Sequence, residues 1–259
     1  MSLLSQTKTN SYSYHEALAK VGRREDIIDK LAIAEILLKL AILNLEHEFK
    51  VFMMPTLAVT DTVITITETE QKFGLGRSES KEFFTEWHDH LPEVNSSDRA
   101  NLEILWQRYI YHCSGGHLLE STVMLLLVSP LLTIAGLYDP PFRIKAEESI
   151  AIDVADSEET LQGRIDVLVL RDRLWIIVLE SKKTMLSIWS ALPQTLAYLM
   201  PSPNGDRPNF AMLTNGDDIV FVKLEGKQYA MSQVLAPLIN RGDLEVAWQV
   251  LRKIAEIEV

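Results

Sequence analysis

Asp166, Glu180 and Lys182 lie within "GRIDVLVLRDRLWIIVLESKK", residues 163–183, two apolar strand-like runs joined by a charged turn. Charges in so apolar a setting are costly unless they are paired or hold a metal. Two carboxylates with no His or Cys beside them form a hard-oxygen site suited to Mg²⁺, which keeps several waters and takes one or two protein carboxylates plus substrate phosphate. Such a cation lowers the pKa of a bound water and offsets charge on a phosphoryl group, while Lys182 would orient or deprotonate the water and stabilise the developing negative charge. The chemistry these residues predict is hydrolysis of a phosphodiester.

Strand geometry sets a condition on that chemistry. Alternate residues share a face, so Glu180 and Lys182 point together, and Ser181 and Lys183 point away. An odd loop, for example Arg171 to Arg173, would pair Asp166 opposite Val178 on the face of Glu180. An even loop without a bulge would send it to the other face. The spacing alone is weak, because an Asp followed by Glu-x-Lys arises by chance and a surface ion pair is the commoner explanation. Placement at the end of a central apolar strand favours a site.

The elements around the hairpin follow from periodicity. Residues 1–55 read as a helical extension, with "REDIIDKLAIAEILLKLAILNLEHEF" amphipathic at helical spacing. "MPTLAVTDTVITIT", at 54–67, alternates weakly as a strand or linker. Residues 56–113 are expected to be a helical lead-in, clearest in "SSDRANLEILWQRYIYHC", and 114–259 the core. A helix at roughly 117–136 ends before "DPP". Three strands, a helix from about 186 to 200, a hairpin marked by "NG" and a final helix "DLEVAWQVLRKIAEI" complete the pattern. Strands apolar on both faces require helices on each side, so the expected fold is α/β with a central mixed sheet flanked by helices.

Composition bounds the function. The chain has 259 residues, 47% hydrophobic, enough for a large core. The start, "MSLLSQTKTNSYSYHEA", has no secretory pattern, and the longest apolar run, "VMLLLVSPLLTIAGL", is too short to span a membrane and contains Ser129 and Pro130. With Cys113 as its single cysteine, the chain has no internal disulfide or cysteine-based zinc cluster, and a reducing cytoplasm is expected. A net charge of −11 opposes nucleic-acid coating through the whole surface, though not a local basic groove.

Four stretches, "HLLESTVMLLLVSPLLTIAGLYDPPF", "GRIDVLVL", "VLESKK" and "PQTLAYL", together resemble the PD-(D/E)xK nuclease superfamily, and within it the N-terminal nuclease domain of type I restriction enzyme R subunits. The resemblance runs from about 64 to 256 and implies a restriction-endonuclease-like fold and Mg²⁺-dependent cleavage of DNA, with Mn²⁺ as a substitute. It places the family's helix glutamate on Glu120, its metal-binding aspartate on Asp166 and its Glu-x-Lys on Glu180 and Lys182. Glu120, Asp166 and Glu180 would be the metal ligands. The family's Gln-x-x-x-Tyr falls on Gln194 and Tyr198, a spacing that puts both on one helix face. Ile165 stands where the family often has proline. No GxxxxGK[ST] loop is present, so no ATP site or motor is expected in this chain. It would cut alone, as a homodimer, or with separately encoded partner subunits, and without a membrane.

Other residues carry weaker signals. His88 and His90 in "EWHDH" have a metal-compatible spacing but read as a solvated pair, Trp189 reads as packing in preference to base stacking, and Cys113 as a small buried hydrophobe. Arg143, Lys145, Lys183 and Lys223 are candidates for a phosphate-binding rim. Two rival readings accompany the nuclease: a catalytically silent nucleic-acid-binding or assembly subunit that keeps the fold, and a nucleotide-processing or partner-binding domain with a structural ion cluster.

Overall fold

The computed structural model describes residue 39 and residues 56–63, 65–153, 160–171, 174–181, 187–205 and 207–257. The expected N-terminal helical extension, apart from the helical Lys39, lies outside the described residues. Among those residues, eight strands form one mixed sheet with helices on both faces, so the α/β expectation holds at that level.

The weakly alternating segment resolves into a strand, β1 (Thr56–Ala58), and a short helix, α1 (Val59–Thr62). Helix α2 (Ile66–Phe73) follows, started by a capping box in which Thr65 and Glu68 satisfy each other's backbone donors and ended by Gly74 at φ 63°. The helical lead-in expected over 56–113 is then interrupted. After the two-residue strand β2 (Gly76–Arg77), residues 78–95 are turns and coil, and helix resumes only at α3 (Ser96–Cys113), capped by Asn95. His88 and His90 fall in this irregular stretch, and both are exposed.

Helix α4 starts at Glu120, as expected. It runs Glu120–Val123, passes through a π turn at Met124–Val128 and continues as Ser129–Ile134. Strands β3 (Phe142–Asp153), β4 (Thr160–Arg171) and β5 (Leu174–Ser181) follow, then a 3-10 turn at Ile188–Ala191 and helix α5 (Leu192–Leu199). Strands β6 (Asn209–Thr214), β7 (Ile219–Glu225) and β8 (Gln228–Met231) and helix α6 (Gly242–Glu256) end the described chain. The "NG" hairpin is the β6–β7 turn. Gly216 takes φ 93°, and the Asn215 side chain accepts from the N–H groups of Asp217 and Asp218.

The strand order is β1-β4-β5-β6-β7-β8-β2, with β3 on the other edge of β4. Two cores cover the two faces. One joins α3, α4 and α6 to Val167, Val169, Met212 and Phe221. The other joins α1, α2 and α5 to Leu161, Ile165, Leu168 and Leu213. Helix α5 is buried along its whole length, so "LPQTLAYL" reads as apolar on every side.

Candidate functional site

The register of β4 on β5 decides whether the two acids meet. The loop between Arg171 and Leu174 has two residues, not the three of the odd-loop example, so Asp166 does not face Val178; Leu168 does. An even loop alone would have separated the acids. Between Val169 and Leu170 the register slips, because Leu170 pairs with Trp175 while Val169 pairs with Ile177, leaving Ile176 as an extra residue. The ladder then runs to its last pair, Val167 opposite Leu179, so Asp166 and Glu180 each lie one residue beyond the pairing. Asn204 supports β5 at this slip. Its side chain accepts from the Trp175 N–H at 2.9 Å and donates to the Trp175 carbonyl at 2.7 Å, before β6 begins to pair with β5 at Val178.

Strand β4 is distorted where Asp166 sits. Ile165 and Leu168 both enter the α5-side core while Val167 enters the opposite one, so the alternation of faces breaks between 165 and 167. Across the ladder, Glu147 is flanked by the pairs Ala146 with Val167 and Glu148 with Ile165, and it takes φ 54°, a strained value for a non-glycine residue. Asp166 itself is half-buried and engaged in interactions.

The other edge of β4 is interrupted beside it. On that edge β1 pairs with 160–162 and β5 with 167–171, so among the described residues no strand pairs with 163–166. Helix α5 fills the break. The buried Tyr198 hydroxyl accepts from the Arg164 N–H at 3.3 Å and from the Gln194 side-chain amide at 2.5 Å. Its ring lies against Gly163, where an added Cβ would come within 2.4 Å of the ring. The glycine of "GRID" is thus required by close approach, a role that a glycine within a strand pattern signals.

Glu120, half-buried, is the first residue of α4. Three residues earlier, His117 is an electrostatic neighbour of Asp217 in the turn after β6, and Thr214 at the end of β6 pairs with Ser181 at the end of β5. The start of α4 therefore stands at the sheet end that carries Glu180. That end also holds a group the sequence did not signal beyond an i,i+4 spacing on α3. Burial raises the Asp217 carboxyl, Asp218 raises it further and His117 partly lowers it. Burial likewise raises Asp218, the Cys113 thiol and the Tyr109 hydroxyl. Tyr109 is buried, with the Cys113 thiol as its polar neighbour. Cys113 is half-buried beside it, not the isolated hydrophobe expected.

Other expectations need correction. Lys223 is not part of a rim. It is 7% exposed, bound to Glu86 at 2.8 Å and set over the rings of Phe83 and Phe210 at 5.3 and 6.0 Å. Arg143 and Lys145 are both exposed, Lys145 paired with Glu148 at 2.6 Å. Trp189 is 44% exposed and is not core packing. Lys182 and Lys183 lie outside the described residues.

Of the six candidate site residues, Gln194 and Tyr198 meet each other and the Arg164 N–H of β4, Asp166 and Glu180 each lie one residue beyond the last β4–β5 pair, Glu120 begins α4, and Lys182 is outside the described residues. Among the described residues no three His, Cys, Asp or Glu side chains form a metal-holding group, and the Glu180 side chain is outside that description. No helix among them is long and apolar enough to cross a membrane. No protein-family model matches the chain, and neither a curated protein nor a solved structure matches it significantly.

Proposed function

We propose that this chain is a Mg²⁺-dependent, endonuclease-like phosphodiester hydrolase acting on DNA on a restriction-endonuclease-like scaffold. The observation that carries this reading is that Asp166 and Glu180 each stand one residue beyond the last β4–β5 pair, Val167 with Leu179, at a distorted point of the strand. Two carboxylates at neighbouring strand positions would suit a divalent cation. The donors are all oxygens, which fits Mg²⁺ and its substitute Mn²⁺ better than Zn²⁺.

Asp166 and Glu180 would hold the cation, and Glu120 would add a carboxylate from the start of α4. When bound, the metal supplies charge neutralisation at the phosphoryl oxygens and a more acidic water. Lys182, two residues beyond Glu180, takes a proton from the attacking water or offsets charge in the transition state. The new bond joins the water oxygen to phosphorus, the bond to the leaving nucleoside oxygen breaks, and that oxygen gains a proton. Gln194 and Tyr198 are positioning residues, fixing β4 two residues before Asp166. No nucleotide-phosphate loop is present in the sequence, so cleavage by this chain is not ATP-driven.

The net charge of −11 favours a second reading, a silent nucleic-acid-binding or assembly subunit, because such a surface holds DNA weakly without a cation. Nicking of supercoiled plasmid at low salt, titrated with Mg²⁺ and Mn²⁺, separates the two. The nuclease reading expects metal-dependent nicking by the wild type and a loss of at least about 100-fold in Lys182→Ala. Metal binding without nicking of double- or single-stranded DNA would move the assignment to the silent subunit.

A further inference from the structure

Beyond the β4–β5 acids, the opposite edge of the sheet carries a second site. A cavity of about 700 Å³ opens where the chain leaves β2, lined by Arg77, Ser78, Ser80, Lys81, Trp87 and His88 over a floor that includes Phe84. That volume is ordinary for a small-molecule site. We propose that this cavity binds a nucleotide, its phosphate held by Arg77 and Lys81 and its base against Trp87.

Three observations support this assignment. First, neither Arg77 nor Lys81 forms an ion pair among the described residues, although Glu79 lies between them in the cavity wall and the chain has 36 acidic residues against 25 basic. Lys223, close by in sequence contacts through Glu86 and Phe83, is by contrast fully engaged. Arg77, whose electrostatic neighbour is Tyr229, and Lys81 are both exposed and set two cations in one concavity, as a phosphate needs, and Arg offers a planar fork matched to its oxygens. Second, the cavity pairs those cations with an aromatic wall. Trp87 is half-buried, and His88 contacts it edge-on with ring centroids 4.7 Å apart, which steadies the indole. A fixed indole is a platform for any base, because every base has a π-face. Third, Ser78 and Ser80 supply hydroxyls, and Glu79 an acceptor suited to a sugar hydroxyl.

Topology links the cavity to the strand ends. Strands β2 and β8 are parallel, β8 and β7 antiparallel, β7 and β6 antiparallel, and β6 and β5 parallel, so the chain leaves β2 towards the same sheet end as Glu180. Four strand spacings of about 4.8 Å separate β5 from β2, roughly 19 Å. At about 3.4 Å per stacked nucleotide, a single strand of roughly six nucleotides covers that span. The ligand is therefore either a free nucleotide or the terminal nucleotide of such a strand.

Calorimetric titration of the full chain in EDTA, where metal-dependent cleavage cannot occur, tests the site independently of the nuclease reading. The probes are inorganic phosphate, 5′-AMP and a 5′-phosphorylated hexathymidylate. Variants are Arg77→Ala/Lys81→Ala and Trp87→Phe, with Arg108→Ala as an exposed cation outside the cavity. Saturable binding of 5′-AMP, weakened at least about tenfold in the double variant and unchanged in Arg108→Ala, establishes a mononucleotide site. Binding of the hexamer alone with the same variant pattern establishes a strand-end subsite. Equal weakening in Arg108→Ala, binding of phosphate and 5′-AMP with equal affinity and no Trp87→Phe effect, or no binding of any probe, would overturn the proposal.

Discussion

Strands β6 and β7 pair residue for residue from Asn209 opposite Leu224 to Thr214 opposite Ile219, and both are buried almost throughout. The outer edge of β4 is the opposite case. Its partners change from β1 to β5 across four positions that no strand among the described residues pairs on that edge, its alternation of faces breaks, and its neighbour Glu147 sits at positive φ. The complete ladder carries none of the six candidate residues, and the interrupted one carries Asp166. Regular pairing satisfies the backbone groups of both strands, whereas at the interrupted edge the Tyr198 hydroxyl takes the Arg164 N–H, and at the register slip of β5 Asn204 takes both backbone groups of Trp175.

That contrast can be broken from several sides. The largest stability effect is expected from Gly163→Ala, whose methyl group would run into the fully buried Tyr198 ring, a loss of roughly 2–3 kcal/mol in denaturant unfolding. The same substitution at Gly226, where nothing lies within 4 Å, strains only a turn at φ 59° and should cost about 1 kcal/mol. Asn204→Ala leaves both backbone groups of Trp175 without their partner and should cost about 2 kcal/mol. Because it frees the register slip, it should also lower any nicking rate more than its stability loss accounts for. Tyr198→Phe keeps the ring but removes the acceptor for Arg164 and Gln194, with an expected cost of about 1–2 kcal/mol.

The smallest effect has the opposite sign and lies at the β6–β7 turn. Burial raises the Asp217 carboxyl, so its charged form is the one disfavoured by folding. Its contribution to stability is full below the unfolded value near 3.8 and is lost as pH rises through the higher folded value. Asp217→Asn should therefore leave stability little changed at low pH and raise it slightly at neutral pH, read as a flatter dependence of melting temperature on pH. An unchanged pH profile would remove Asp217 from the half-buried group at that sheet end.

Much of this architecture was legible in the residues. The "NG" turn, the last helix and the strands of the central hairpin follow from local chemistry that the tertiary structure does not override. The lead-in over 78–95 was not, because its Phe83, Phe84 and Trp87 mimic a helical stripe while each packs from irregular backbone. Lys223 misled for a related reason. A lysine in a strand reads as a surface cation, and only the distant Glu86 and Phe210 make it a buried one. The register of Asp166 also depended on a slip that no loop length reveals, since Ile176 is as apolar as its neighbours. The acids themselves were visible, as charges in a run that had no packing use for them.

If Asp166 holds the cation for phosphodiester cleavage, as proposed, plasmid nicking by the wild type and by Asp166→Asn, both first shown to melt at the same temperature, will differ as Mg²⁺ is varied. Saturable Mg²⁺-dependent nicking by the wild type is expected, with a fall of at least about 100-fold in the variant that added Mg²⁺ does not restore. Equal nicking by the two proteins at every Mg²⁺ concentration would overturn that role for Asp166.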